Sequence, residues 1–261
     1  MIWCRYRDVE GPRFAIVDGE KAQPVVGSPF SSHYESGDPL PLSDVELLPP
    51  VEPRTFFCAG LNYRAHVERA LEHGHTSVVA PERPEVGYRA NSALVASGSP
   101  IVRPADYPYP LEAEGELVAV VGRPLRHCSV DDARAGVVGW TIGNDVSARW
   151  WQRSDRTLWR AKNCDSFKPM GPFLVTDVDP MASTTTVRVN GEERASFATG
   201  DMIFDPFQYI SEVSRYITLS PGDVLWMGTD ETPPFVPGDT VEVSISGLGT
   251  LSNPVVEEDQ T

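Results

Sequence analysis

The stretch that decides the fold is residues 111–122, which read LEAEGELVAVVG. Its second half, residues 117–121, is entirely apolar and rich in valine, as expected of a buried strand. Glu112, Glu114 and Glu116 occupy alternate positions ahead of that half. Side chains alternate between the two faces of a strand, so the pattern predicts three carboxylates on one side, leading into the core.

Carboxylates that enter a core need a positive partner, because an unpaired buried charge is strongly destabilising. A divalent cation would supply it, and a site of oxygen ligands suits Mg²⁺ or Mn²⁺, with Ca²⁺ as a further candidate. Asp145 follows a strand predicted at residues 137–142 and would present a third carboxylate. Two alternatives stay open: a solvated strand end for EAEGE, and an ordinary turn residue for Asp145.

Composition excludes several classes of protein. The chain has 261 residues, is 41% hydrophobic and carries a net charge of −15, which argues against nucleic acid and anionic membranes as partners. We see no signal peptide and no apolar run long enough for a membrane span, so we expect a cytoplasmic protein. The four cysteines lack CxxC spacing and are expected to be reduced thiols.

The order of predicted elements indicates a strand-rich, mixed α/β protein. Short strands fill residues 1–30, and a proline-rich connector at residues 37–53 suggests a small β-rich N-terminal domain (1–53) before a main domain (54–261). A helix is predicted from Asn62, as N-cap, to His73, with Gly74 as its stop. His66 lies beside the apolar stripe of that helix, where a histidine is either structural or catalytic.

Two more helix starts carry clear capping signals. Ser129 with Asp132 three residues later resembles a capping box for a helix at residues 130–137. Asp205 followed by Pro206 marks an N-cap and a first helical residue. Glycine-rich phosphate loops and a GxSxG sequence are absent, which lowers the case for a nucleotide-binding protein or a serine hydrolase.

Five stretches together resemble the fumarylacetoacetate hydrolase superfamily, in the order that family shows. They run from about residue 56 to residue 250 and read GLNYRAH, EGELVAVVGR, GWTIGNDVSARWWQ, AKNCDSFKPMGPFLVT and ITLSPGDVLWMGT. The resemblance implies a twisted, mixed β-roll catalytic domain with short helices and a small N-terminal domain, usually as a homodimer.

The resemblance also implies roles for individual residues. Glu114, Glu116 and Asp145 would bind the metal, and His66 would move protons or activate water. Positions that match groups contacting the substrate or the attacking water, or that flank them, are Lys162, Gln152, Arg89, Thr229, Gly228 and Trp151. Without the resemblance, Lys162 would be taken for an ordinary surface lysine.

Family enzymes act on 2-oxoacids and β-diketoacids through a metal-stabilised enolate. We therefore expect a small-molecule oxoacid substrate, and carbon–carbon hydrolysis of an acylpyruvate-like compound as the first reaction to test. The alternative is an isomerase, a decarboxylase or a ring-forming enzyme that uses the same site without water attack. A member that binds an oxoacid without turnover is a third hypothesis.

Three departures from the family pattern bear on that choice. Arg69 stands where family hydrolases often have a glutamate that pairs with the histidine. Trp150 replaces an aspartate in SARWWQ, and with Trp151 it adds aromatic bulk that suits a larger or more apolar substrate. Asp230 stands where a proline is expected after MGT.

Overall fold

The computed structural model describes residues 1–72 and 79–259, which form a strand-rich, mixed α/β fold. The strands of the described residues, in chain order, are β1 (Ile2–Asp8), β2 (Gly11–Asp18), β3 (Lys21–Val26), β4 (Tyr34–Glu35), β5 (Leu40–Pro41), β6 (Leu47–Leu48), β7 (Phe56–Ala59), β8 (Val86–Tyr88), β9 (Leu94–Val95), β10 (Ile101–Arg103), β11 (Leu111–Glu112), β12 (Gly115–Val121), β13 (Val137–Asn144), β14 (Lys168–Val175), β15 (Thr184–Val189), β16 (Glu192–Ala198), β17 (Val224–Trp226), β18 (Pro234–Phe235), β19 (Thr240–Ile245) and β20 (Gly249–Glu257).

The helices are short. They are α1 (Arg64–Glu72), α2 (Val130–Gly136), α3 (Arg149–Gln152), α4 (Trp159–Asn163) and α5 (Pro206–Ser214), with 3₁₀ turns at Leu42–Asp44, Asn91–Ala93 and Pro180–Ala182. The predicted capping box of Ser129 and Asp132 begins α2. The predicted N-cap Asp205 begins α5, with Pro206 as the first helical residue, and it also forms a capping box with Gln208. No helix among the described residues is long and apolar enough to cross a membrane.

The largest sheet is built around the stretch quoted above. Its strand order is β4-β3-β2-β1-β14-β13-β12-β17-β7-β8, with β5, β6 and β9 paired to its side. Every residue of β12 is buried, as the valine-rich pattern predicts. Pairing is antiparallel except where β7 lies parallel to β17 and β9 to β14, so the sheet is mixed. The N-terminal strands join this sheet through the β1–β14 pair.

A second sheet, β10-β20-β19-β15-β16, packs against the start of β12. The approach is close at Gly115, where a Cβ would lie 2.9 Å from Val243 and 3.0 Å from Val187. Val187 and Val243 share the main apolar core with Leu117 and Ala119 of β12. A glycine between the two glutamates is therefore what allows the sheets to meet beside the carboxylates.

Two local expectations were wrong. Residues 111–121 are not one strand, because β11 pairs with β18 whereas β12 pairs with β13 and β17, and the change of partner interrupts the strand at Ala113 and Glu114. Asn62 does not cap α1. Its amide donates to the carbonyls of Phe204 (3.1 Å) and Met227 (2.8 Å), which takes the side chain away from the helix.

Two further expectations concern α1 and the thiols. α1 is described as far as Glu72, and the predicted end at His73 and Gly74 lies outside the described residues. All four cysteines are free thiols, as expected from their spacing.

Candidate metal centre

Three carboxylates meet where β12 and β13 pair. Antiparallel pairing sets Gly115 opposite Asn144, so Glu114 and Glu116 on either side of Gly115 come next to Asp145. One carboxylate oxygen from each of the three residues lies within 4.8 Å of the other two, and all three residues are buried. The three predicted metal ligands therefore form one cluster.

Hydrogen bonds hold these side chains in place. The Asp145 N–H donates to the Glu114 carbonyl (2.9 Å), and the Ser147 hydroxyl donates to Glu114 Oε1 (2.9 Å). The Gly228 N–H donates to Glu116 Oε2 (2.8 Å). The pairing of β12 with β13 and the hydrogen bond from Gly228 therefore hold the cluster in place.

Basic groups surround the cluster. Lys162 Nζ donates to Glu114 Oε2 (2.6 Å) and to Asp145 Oδ2 (3.0 Å). Arg89 donates to both oxygens of Asp145 at 3.1 and 2.8 Å, and Lys168 Nζ lies 2.6 Å from Asp145 Oδ1. Arg89 was expected to bind a substrate carboxylate. In this structure it binds the carboxylate of Asp145.

The three carboxyl groups differ in how well their charge is compensated. Burial, with the charges of Asp145 and Glu114, raises the pKa of Glu116 to about 8. Burial also raises the pKa of the other two, but their lysine and arginine partners outweigh it. The pKa falls to about 2 for Glu114 and well below its usual range for Asp145. Glu116 is therefore the carboxyl group whose negative charge most lacks a partner.

The donor set fits a divalent cation. All three candidate ligands offer carboxylate oxygen, which hard cations prefer, and a bound cation would compensate the charge of Glu116. The residues that would hold the ion are Glu114, Glu116 and Asp145. We conclude that this acidic cluster can bind a divalent metal.

His66 lies on α1, beside this cluster. Its Nδ1 is 2.8 Å from the main-chain carbonyl oxygen of Asp230, and this is the hydrogen bond that the described residues make to its ring. A carbonyl only accepts, so Nδ1 carries the proton and Nε2 has the free lone pair. The glutamate partner common in family hydrolases is thus replaced by a neutral carbonyl.

Two cavities with shared lining residues open onto these groups. The inner one, about 240 Å³, is lined by the three carboxylates together with Arg89, Lys162, Gly228 and Thr229. The outer one, about 900 Å³, is walled by residues 230–234 among others. Leu61, His66, Arg149 and Gln152 line both. His66 therefore lies at the boundary between the two cavities.

The remaining predicted site residues divide into two groups. Gln152 accepts from Arg149 Nη1 (2.8 Å) and Thr229 donates to the Glu231 carbonyl (3.1 Å), so both are held at the cavity wall. Trp151 is placed differently. It packs edge-on against Tyr107 with ring centroids 4.8 Å apart and, of the described residues, is not among those lining either cavity.

Two site residues were missed. Lys168 lies between Phe167 and the apolar residues 169–175. A single lysine among apolar residues is the sequence pattern that could have predicted a buried, paired ammonium group. Arg149 ion-pairs with Glu112 (2.9 Å) and with Glu114, which explains the place of the extra glutamate in the opening stretch. The SAR sequence that contains Arg149 matches the family pattern, but the pattern alone predicts no contact for Arg149.

The model of the family described as fumarylacetoacetate (FAA) hydrolase, C-terminal, matches residues 55–256. This chain belongs to the fumarylacetoacetate hydrolase family. A second family model, described as Rv2993c-like, N-terminal, matches residues 1–50.

Two relatives align with most of this chain. Protein Rv2993c of Mycobacterium tuberculosis is 37% identical, and the match covers 97% of each chain. The rat mitochondrial oxaloacetate tautomerase Fahd2a is 35% identical over 83% of this chain and 71% of that protein.

Solved structures that resemble this chain have different activities in their names. A structure named 5-carboxymethyl-2-hydroxymuconate delta-isomerase, from Mycobacterium smegmatis, is 37% identical with a TM-score of 0.88, covering 99% of this chain and 100% of that one. A fumarylacetoacetate hydrolase from Exiguobacterium antarcticum is 31% identical with a TM-score of 0.82, at 99% and 100% coverage. Family membership thus leaves both isomerisation and hydrolysis open.

Proposed function

We propose that this protein is a divalent-metal-dependent isomerase of enolisable 2-oxoacids, which interconverts keto and enol forms or positional isomers of a conjugated enol. The observation that carries the proposal is the position of His66. Its Nδ1 is bonded to a neutral carbonyl, and its ring lines both cavities beside three clustered carboxylates. The ring can therefore move a proton, but within residues 1–72 and 79–259 it has no hydrogen-bonded carboxylate to help it activate water.

The chemistry needs little more than that proton transfer. When bound at the three carboxylates, a divalent cation supplies stabilisation of the negative charge that develops on the 2-oxo oxygen. His66 Nε2 takes a proton from C3, and the electron pair of the broken C–H bond forms the C2–C3 double bond of the enolate. Return of the proton to oxygen gives the enol, and its return to another carbon of a conjugated system gives a positional isomer.

Other side chains bind and orient the substrate. Lys162 places its ammonium group at the inner cavity wall, next to Glu114 and Asp145, where it can donate to a substrate oxygen. Gln152 has its oxygen bonded to Arg149, which leaves its NH₂ group as a donor. Mg²⁺ or Mn²⁺ are the ions we propose for the carboxylate cluster.

Relatives with isomerase and tautomerase names support this assignment, and a hydrolase relative keeps carbon–carbon hydrolysis as the competing function. Hydrolysis would use the same enolate site but also needs an activated water. The partner of His66 decides our preference: a carboxylate would stabilise the imidazolium formed when water is deprotonated, and the Asp230 carbonyl carries no charge to do so.

The test is proton exchange. Purified protein with Mg²⁺ and oxaloacetate in D₂O is expected to accelerate deuterium incorporation at C3, followed by proton NMR, and to accelerate the loss of enol absorbance. Both rates should fall to the spontaneous value in His66→Asn and Glu116→Gln. Cleavage of an acylpyruvate in H₂¹⁸O, with label in the released acid and no exchange of oxaloacetate, would replace the isomerase by a hydrolase. Saturable oxalate binding without either reaction would indicate a non-catalytic member.

A further inference from the structure

Arg69 and Asp230 meet directly beside His66. His66 and Arg69 are three residues apart on α1, so they share a face of the helix. Both donate to the main-chain carbonyl of Asp230, His66 from Nδ1 at 2.8 Å and Arg69 from Nη2 at 2.6 Å. Arg69 also forms an ion pair with the Asp230 carboxylate. Arg69 thus holds Asp230 at two points, and His66 uses one of those points.

The segment that carries Asp230 is also tied to the metal cluster. Two residues earlier, the Gly228 N–H donates to Glu116, and Gly228 has φ +81°, which favours glycine. Between them, Thr229 donates to the Glu231 carbonyl. Three consecutive residues therefore link a candidate metal ligand to the acceptor of His66. A shift of the Asp230 carbonyl would change where the imidazole lies relative to Glu116.

The same carbonyl decides which ring nitrogen is basic. An acceptor at Nδ1 selects the tautomer with the proton on Nδ1, and this leaves the Nε2 lone pair for the substrate. A loosened carbonyl would let both tautomers and other ring orientations be populated. The carboxylate in the Arg69–Asp230 ion pair is largely buried, since the Asp230 side chain is only 12% exposed.

We propose that Arg69 and Asp230 are positioning residues for His66: their ion pair fixes the carbonyl that keeps the imidazole in its Nδ1–H form and directs Nε2 towards the inner cavity. Arg69 and Asp230 are two of the three departures from the family pattern, and the structure shows them bonded to each other. The catalytic consequence rests on the proposed isomerase activity, whereas the effect on the tautomer does not.

The first test therefore needs no substrate. Uniform ¹⁵N labelling of the imidazole rings allows the tautomer of each of the five histidines to be determined by NMR, with His66 assigned from a His66→Gln variant. The wild-type protein is expected to show His66 as the Nδ1–H tautomer. Arg69→Gln and Asp230→Asn should each give a mixture of tautomers. The matched control is Arg64→Gln, which removes one positive charge from an exposed position of the same helix and should leave the ring unchanged.

The second test uses turnover. Arg69→Gln and Asp230→Asn should each lower kcat for proton exchange by about 10- to 100-fold, with KM and Mn²⁺ affinity within about twofold of wild type, as expected for a displaced proton-transfer group. The double variant should lose no more than Arg69→Gln alone, because Arg69→Gln already removes both contacts with Asp230, whereas Asp230→Asn removes only the ion pair. Arg69→Lys should restore part of kcat.

An unchanged Nδ1–H tautomer in both variants would overturn the proposal, as would an equal loss of kcat in Arg64→Gln. A shifted tautomer in a protein without exchange activity would overturn only the proposed function.

Discussion

The ammonium group of Lys168 lies 2.6 Å from Oδ1 of Asp145 and is fully buried. It also donates to the carbonyls of Val146 (3.0 Å) and Phe167 (2.9 Å), so its three N–H groups are all engaged. The chain has only three lysines, and Lys162 and Lys168 both contact Asp145. Lys168 therefore links Asp145, a candidate metal ligand, to the main-chain carbonyls of Val146 and Phe167.

Lys168→Met should destabilise the protein by about 1–3 kcal/mol, because it removes one of three basic partners of Asp145 and the lysine donor to the Val146 and Phe167 carbonyls. Urea denaturation at neutral pH measures the change. Lys21→Met is the matched control: Lys21 is exposed, and its loss should stay within about 0.5 kcal/mol. Equal effects of the two substitutions would show that the contact of Lys168 with Asp145 contributes nothing to stability.

Metal affinity should rise with pH up to about 8. The pKa of Glu116 is raised to about 8 by burial and by the nearby carboxylates, so below that pH the ion must displace a proton from Glu116. Titration calorimetry with Mn²⁺ at several pH values measures the trend. Glu116→Gln should lose at least about tenfold in affinity and most of the pH dependence. Glu112→Gln, which removes a nearby carboxylate outside the cluster, should retain both.

The same shift predicts how the metal-free protein responds to pH. A carboxyl group with a raised pKa binds its proton more tightly in the folded state, so its contribution to stability is present at low pH and is lost as pH rises. For Glu116 the loss runs from about pH 4.5 to about pH 8. The difference in unfolding free energy between wild type and Glu116→Gln should therefore grow in favour of the variant across that window, and added Mn²⁺ should reverse it for wild type only.

Gly143→Ala should cost about 1–3 kcal/mol through overpacking. A Cβ on Gly143 would lie 2.5 Å from the ring of Trp226, which is fully buried between neighbouring strands. Thermal unfolding of Gly143→Ala and of Gly143→Ala/Trp226→Phe tests the cause. The smaller ring in the double variant should recover part of the loss. No recovery would mean that the backbone, not the indole, limits the space.

Asn62→Ala should destabilise the protein by about 2–3 kcal/mol, because it leaves buried main-chain groups of Phe204 and Met227 without partners. Asn62→Asp keeps the acceptor for the Phe204 N–H but removes both donors, so it should be no better than the alanine variant. Denaturant unfolding decides the matter. If Asn62→Ala is as stable as the wild type, the hydrogen bonds of Asn62 to Phe204 and Met227 do not contribute to stability.

The sequence was sufficient to predict the cluster of three carboxylates because local rules place them. Glu114 and Glu116 flank one glycine, Asp145 ends the neighbouring strand, and a single antiparallel register brings them together. β12 and the two capped helices followed from patterns within a few residues. Where the chain changes strand partner at Ala113, the alternation rule had no information about the change, and the predicted single strand was wrong.

The environment of His66 could not be predicted in the same way. Its partner is a main-chain carbonyl 164 residues away, and a carbonyl has no sequence signature. Arg69 and Asp230 were each recognised as unusual, but their pairing depends on how β7 and β17 lie in the sheet. Asparagine is a common N-cap residue, so its position before α1 predicts a cap. Only the folded structure shows that the Asn62 side chain instead bonds the distant carbonyls of Phe204 and Met227.

The parallel pairing of β7 with β17 has an evolutionary consequence. Both strands deliver their following segments to one edge of the sheet, so the helix with His66 and the loop at residues 228–234 share a rigid support. The clustered carboxylates lie instead at the start of β12 (Glu116), just before it (Glu114) and just after β13 (Asp145). Substitutions at residues 231–234, which line the outer cavity, can therefore change the shape of that cavity while the acidic cluster stays unaltered.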